Sequence, residues 1–176
     1  MRLFFAVWPD TATQECLAAA AAAVDYGAGA QLVSRENYHL TLAFVGEVAE
    51  SHLPDLQTIG RELRSPGFTL KFDAYEYWPK PEVVVCAARE IPGALAEIWE
   101  RLHGNLAAHN LAQNPKRLRP HTTLARKVSQ APVWTAMSEF AWIAREFSLV
   151  RSDTTGTRSV YTVVDTWPLL YEASKP

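Results

Sequence analysis

One short pattern, His-x-Thr-Leu, occurs in both halves of this chain: His39-Leu40-Thr41-Leu42 and His121-Thr122-Thr123-Leu124. Each copy lies in a stretch that alternates with period two. Residues i and i+2 of a strand share a face. Each copy therefore presents an imidazole beside a hydroxyl on one side, while leucines anchor the other side in a core. A helical pattern precedes each of these strands, a weak internal repeat. The chain must therefore build two half-buried strands, each turning one small polar pair outward.

The elements around these strands follow from local pattern. Residues 2–8 are short, apolar and closed by Pro9-Asp10, which predicts a buried strand. An alanine-rich helix follows over Thr11 to Val24, capped by Asp10 or Thr11 and ended by Tyr26-Gly27-Ala28-Gly29. The first motif strand covers Tyr38 to Val45, with Tyr38, Leu40, Leu42 and Phe44 as its bulky apolar face and Gly46 as its end. A helix over about 51–64 carries the stripe Leu53, Leu56, Ile59, Leu63. Strands over 68–77 and 82–88 pair across Trp78-Pro79-Lys80-Pro81. A third helix over about 93–112 presents Leu95, Ile98, Leu102 and Leu106, and Asn114-Pro115 breaks the chain before the second motif strand at 119–126. Residues 133–140 fit no single pattern. Glu146 to Arg151 and Tyr161 to Thr166 form a closing pair around the loop Ser152 to Arg158, with Gly156 at its tip. Several strands are joined by hairpin-length turns and few by long crossovers, so the fold class is α+β with mostly antiparallel sheets. A length of 176 residues suits one compact domain or two small lobes sharing a core.

Charge and composition narrow the function. The net charge of −2 excludes an indiscriminate nucleic-acid binder. Its distribution is uneven: no carboxylate lies between Glu100 and Glu139, where Arg101, Lys116, Arg117, Arg119, Arg126 and Lys127 all fall. A positive field around His121 is expected, and with it an anionic substrate. The apolar amino terminus stops at Pro9-Asp10, too early for a signal-peptide core or a membrane span, so a cytoplasmic location is expected. Cys16 and Cys86 are then expected to be reduced, buried thiols. His52, His103 and His109 read as surface residues. No carboxylate or further histidine is spaced to complete a metal site with His39 and His121, so no metal or other cofactor is expected.

The paired motifs suit one chemistry well. Opening a cyclic phosphodiester needs a base to take a proton from water and an acid to give one to the departing oxygen. It also needs donors to hold the phosphoryl oxygens. Histidine serves either proton role because its ordinary pKa lies near neutrality. Threonine, restricted at χ1, donates a hydroxyl at little entropic cost. Histidines on opposite sides of phosphorus allow in-line displacement, one neutral and one protonated.

The two motifs resemble the signature of the 2H phosphoesterase superfamily. So do the opening Arg2-Leu3-Phe4-Phe5-Ala6, the run Asn37 to Gly46, the run Arg119 to Arg126, and the late segments Leu149 to Ser152 and Tyr161 to Leu169. The likeness is to its LigT-like RNA 2′,3′-cyclic phosphodiesterase branch, also described as 2′-5′ RNA ligases. Tyr38 and Val45 stand where leucine is common in that family. The resemblance implies a single bilobal domain with a central cleft and one motif per lobe. It also implies conversion of a 2′,3′-cyclic phosphate at an RNA or oligonucleotide end to a 2′-phosphate. Separately from the resemblance, a monomer without a membrane partner is expected. By the same resemblance His39 is the proton donor to the 3′ oxygen and His121 the acceptor that activates water. Thr41 and Thr123 hold the phosphate, and Arg126 aids them. Strict alternation sends Arg126 to the face opposite His121, so its role requires the strand to end or twist near Ala125. Reversible 2′-5′ ligation or 2′-5′ phosphodiester cleavage would use the same site. A non-catalytic RNA-end binder is the reading from another class.

Overall fold

The computed structural model describes residues 1–111, 117–155 and 158–170. The Asn114-Pro115 break, Lys116 and the Gly156 tip lie outside the described residues. The elements in chain order are β1 (Arg2–Val7), α1 (Thr11–Ala22), β2 (Val24–Asp25), β3 (Gln31–Leu32), β4 (Leu40–Glu47), α2 (Leu53–Glu62), β5 (Phe68–Phe72), β6 (Ala74–Trp78) and β7 (Val83–Ala87). After them come α3 (Gly93–Ala108), β8 (His121–Arg126), β9 (Val133–Trp134), β10 (Phe140–Ala144), β11 (Glu146–Thr155) and β12 (Arg158–Pro168). One four-stranded sheet has the order β12-β11-β1-β4 and a second the order β3-β8-β7-β6. Their paired strands are antiparallel, as are the two-stranded pairs β10-β5 and β2-β9. The α+β, mostly antiparallel class expected from the turns is the class observed.

Each motif strand belongs to a different sheet, β4 at an edge and β8 inside. Their inward residues Leu40, Leu42 and Leu124 share one core with the stripes of α2 and α3, here Leu56, Ile59, Leu95, Ile98, Leu102 and Leu106. Asp10 caps α1, its side chain accepting from the Thr13 N–H at 2.8 Å. Helix α3 stops at Ala108 rather than near 112 because Asn110 turns left-handed, φ 57°, and the Leu111 N–H closes back on the Leu106 carbonyl at 2.8 Å. Asparagine tolerates that conformation better than other non-glycine residues. Within α2, a Cβ at Gly60 would run into the buried Trp167 ring, so the helix meets that ring through bare backbone.

Two further expectations are corrected, and a strand left unassigned is located. The strand read over 68–77 is two strands in different sheets, β5 against β10 and β6 against β7. Burial alternates through the junction without a break, so the pattern hides the change of partner. Strand β10, unassigned from sequence, places Trp142 in the core, where it stacks on Phe72 at 6.1 Å. Cys86 is buried as expected, whereas Cys16 is exposed on α1.

Candidate active site

Both motif strands carry a bulge at the same place. Between β7 and β8, Val85 pairs with Thr123 and Val84 with Ala125, so Leu124 is the extra residue. Between β1 and β4, Ala6 pairs with Thr41 and Phe5 with Ala43, so Leu42 is the extra residue. A bulge of one residue reverses the facing of everything beyond it. In β8 this returns Arg126 to the side of His121 and Thr123, which removes the conflict with strict alternation. In β4 it does the same for Phe44, expected on the apolar face but found 48% exposed on the side of His39 and Thr41. A second bulge at Val45 lies just beyond, next to Gly46 at φ 84°.

A bulge residue leaves the ladder, and its backbone needs another partner. The Leu124 carbonyl accepts the Val33 N–H at 2.8 Å. On β4 the Leu42 backbone interacts with the imidazole of His103 on α3, partly opposing the fall in its pKa that burial causes. His103 is therefore not the surface residue expected. It is half-buried, packs on Trp99 at 4.6 Å, and keeps Nδ1 without a partner. His109 is exposed at the end of α3, and His52 faces Asp55 at 3.9 Å.

The two motif histidines are held alike. His39 Nδ1 meets the Asn37 carbonyl at 2.7 Å, and His121 Nδ1 meets the Arg119 carbonyl at 2.7 Å. Each bond uses the carbonyl two residues upstream and requires a proton on Nδ1, which leaves Nε2 for chemistry. The motifs also touch directly, because the Thr122 hydroxyl donates to the His39 carbonyl at 3.3 Å.

Their surroundings differ. His39 sits among Phe4, Trp8 and Tyr161, with ring centroids at 5.2, 5.3 and 5.2 Å. Burial in this box drives its pKa from 6.5 down to about 4, with Arg126 and His121 adding to the fall and the bond to Asn37 opposing it. His121 packs against Trp78 at 4.5 Å, and the Arg119 guanidinium lies over the same indole at 4.4 Å. Glu76 accepts from both Trp78 Nε1, at 2.7 Å, and Arg119. Burial again lowers the His121 pKa; the Arg119 carbonyl bond and the Glu76 carboxylate oppose it.

His39, Thr41, His121, Thr123 and Arg126 all line one cavity of about 340 Å³. Phe4, Phe44, Trp78, Tyr161 and Arg2 line it too, none of them singled out from sequence. The parity reversal at Leu42 hid Phe44, and Tyr161 arrives from a distant strand. A groove of about 730 Å³ adjoins this cavity, sharing His39, Thr123 and Arg126. The basic cluster expected around His121 is borne out in part, with Arg119 and Arg126 both near enough to lower its pKa. Arg101 binds Glu97 at 3.5 Å and the Arg64 carbonyl, Arg119 is engaged by Glu76, and Arg126 alone of the described members lines the cavity. Among the described residues no group of three or more His, Cys, Asp or Glu side chains could hold a metal ion. No described helix is long and apolar enough to cross a membrane.

Known proteins share this fold. The family described as LigT like Phosphoesterase matches residues 7–85. A relative from Escherichia coli (strain K12), named RNA 2′,3′-cyclic phosphodiesterase, is 34% identical over 139 residues, covering 78% of each chain. One of the same name from Thermus thermophilus is 32% identical over 179 residues, covering 96% of this chain and 90% of its own. The crystal structure of E. coli LigT complexed with 3′-AMP superposes with a TM-score of 0.85 at 31% identity, covering 96% of this chain and 97% of that one. With that identity and coverage, and a fold shared almost end to end, the chain belongs to the LigT-like phosphoesterases of the 2H superfamily.

Proposed function

We propose that this chain hydrolyses the 2′,3′-cyclic phosphate at an RNA end to a 2′-phosphomonoester, working as one two-lobed unit with a motif from each lobe. The observation that carries the reading is the shared cavity, in which two imidazoles tethered through Nδ1 stand with two threonine hydroxyls and one guanidinium. The names of the relatives support the substrate class.

Water attacks phosphorus on the His121 side and gives its proton to that Nε2 as the new P–O bond forms. The bond from phosphorus to the 3′ oxygen breaks on the opposite side, and His39 Nε2–H supplies the proton that oxygen needs. Thr41 and Thr123 donate to the non-bridging oxygens, and Arg126 offsets their charge, which persists throughout. The cycle closes when His121 releases its proton to solvent and His39 regains one. Phe44 and Tyr161 offer apolar faces to the nucleoside.

The pKa of about 4 sets a condition on this scheme. Free His39 is neutral at pH 7, so it must take up a proton from solvent as the substrate binds. A cyclic phosphate carries one negative charge, and an anion beside a buried imidazole favours the protonated form. Binding therefore raises both histidine pKa values, and the bell-shaped profile of kcat lies at higher pH than that of kcat/KM.

The test is turnover of an oligoribonucleotide bearing a terminal 2′,3′-cyclic phosphate, with products separated as 2′- and 3′-phosphates. The expected outcome is the 2′-phosphate, and kcat and kcat/KM profiles offset in the stated direction. A protein that binds this RNA end without opening the ring would refute the assignment.

A further inference from the structure

The larger groove is not the place of phosphoryl transfer. It holds His39, Thr123 and Arg126 but reaches neither His121 nor Thr41. It is nonetheless about 730 Å³ against 340 Å³ for the cavity that holds both histidines. The displacement proposed above gives its position a meaning. Water must enter on the His121 side, so the ribose, which bears the departing oxygen, is confined to the His39 side. The 5′ chain leaves from that same ribose. The groove is the space on that side, and its volume is near the upper part of the range for small-molecule sites.

Its walls suit a nucleotide. Strand β3, at the edge of its sheet, supplies Leu32 on one wall, and β12 supplies Val160 on the other. These side chains are 63% and 49% exposed, apolar surface that the core does not use. Between them Ser34, Asn37 and Ser159 present neutral polar groups. The Asn37 side-chain amide donates to the Ser159 carbonyl at 3.5 Å, while the Asn37 carbonyl holds His39 Nδ1. One residue thus links both walls of the groove to the imidazole at its mouth.

We infer that the groove between β3 and β12 binds the nucleotide on the 5′ side of the cyclic phosphate, its base lying against Leu32 and Val160 and its backbone meeting Ser34 and Asn37. The inference rests on the proposed hydrolysis and extends it: the preferred substrate is an oligonucleotide end, and a cyclic mononucleotide leaves half the site empty. Apolar walls hold any base by its face, so the added affinity is tolerant of sequence. The residues proposed to meet the base carry no charge, while Glu36 and Arg126 also line the groove with one carboxylate and one guanidinium.

The experiment compares kcat/KM for adenosine 2′,3′-cyclic phosphate with that for the dinucleotide ApA ending in the same group. Seating one base is expected to raise kcat/KM about tenfold, mainly through KM. Leu32→Ser and Val160→Ser, on opposite walls, are each expected to pull the dinucleotide-to-mononucleotide ratio toward one. Equal kcat/KM on both substrates in the unmodified protein would overturn the inference while leaving hydrolysis intact. A raised ratio that survives both substitutions would overturn the placement in this groove. Turnover of neither substrate would defeat the proposed hydrolysis and the inference with it.

Discussion

Strands β4 and β8 carry the same motif, bulge at the same leucine and tether the same imidazole nitrogen, yet they build unlike halves of one cavity. On β4 the bulge returns an aromatic, Phe44, to the cavity; on β8 it returns a cation, Arg126. His39 is enclosed by three aromatic rings, whereas His121 has one indole backed by an ion pair. The shared features are what any in-line proton transfer needs: a free Nε2 and a hydroxyl two residues on. Under the proposed hydrolysis the differing features would separate the tasks, with charge stabilisation on one strand and nucleoside contact on the other.

The largest effect tests whether the halves are equally necessary. His39→Ala and His121→Ala are each expected to lower kcat about 10²–10⁴-fold. The double variant should be little worse than either single, because the two protons move in one displacement. Rapid-quench turnover of a cyclic-phosphate RNA end reads this directly. If either single variant kept more than about a tenth of the rate, the two-proton scheme would be abandoned.

A smaller effect separates cation from aromatic. Arg126→Met should reduce kcat about 10²-fold, the scale for losing one donor to a developing phosphoryl charge. Phe44→Ala should leave kcat near its starting value and raise KM about tenfold, the scale of one lost stacking face. A KM-only effect at Arg126, or a kcat-only effect at Phe44, would reverse the division of labour between the strands.

How far the sequence foretold this follows from what period two can encode. Alternation located both motif strands, and the α2 and α3 stripes were legible because an amphipathic face is a local property. The two His-x-Thr pairs were legible because i and i+2 precede each bulge. Beyond the bulge the same rule misled, sending Phe44 to the core and leaving Arg126 in doubt. Leu42 and Leu124 look like ordinary core leucines, and nothing local marks them as the extra residues. The division of 68–77 between two sheets was hidden likewise, since burial at Asp73 does not record which strand lies alongside. Tyr161, Trp78 and Glu76 reach the site through pairings far apart in sequence, where pattern carries no information.

The smallest expected effect concerns how each bulge is secured. At Leu124 the partner is the Val33 backbone N–H, which persists through side-chain substitution at that position; the Leu42 backbone instead interacts with the His103 imidazole. His103→Leu removes the polar group facing the Leu42 backbone and is expected to cost about 1–3 kcal/mol in unfolding free energy. Activity should fall less than about tenfold, since Thr41 and Phe44 flank the loosened residue without being replaced. His103→Gln keeps an N–H within reach and should recover most of both losses. A pH titration separates this role from simple packing. Burial holds the His103 pKa below 6.5, so as pH falls below that value the unfolded chain takes up the proton first and stability declines. The Leu and Gln variants lack the titrating group and should lose that part of the acid-side slope, although only Gln keeps an N–H facing the Leu42 backbone. Urea unfolding of the three proteins at pH 7.5 and 5.5 measures both quantities, and a Gln variant no more stable than Leu would show that the imidazole merely fills space beneath β4.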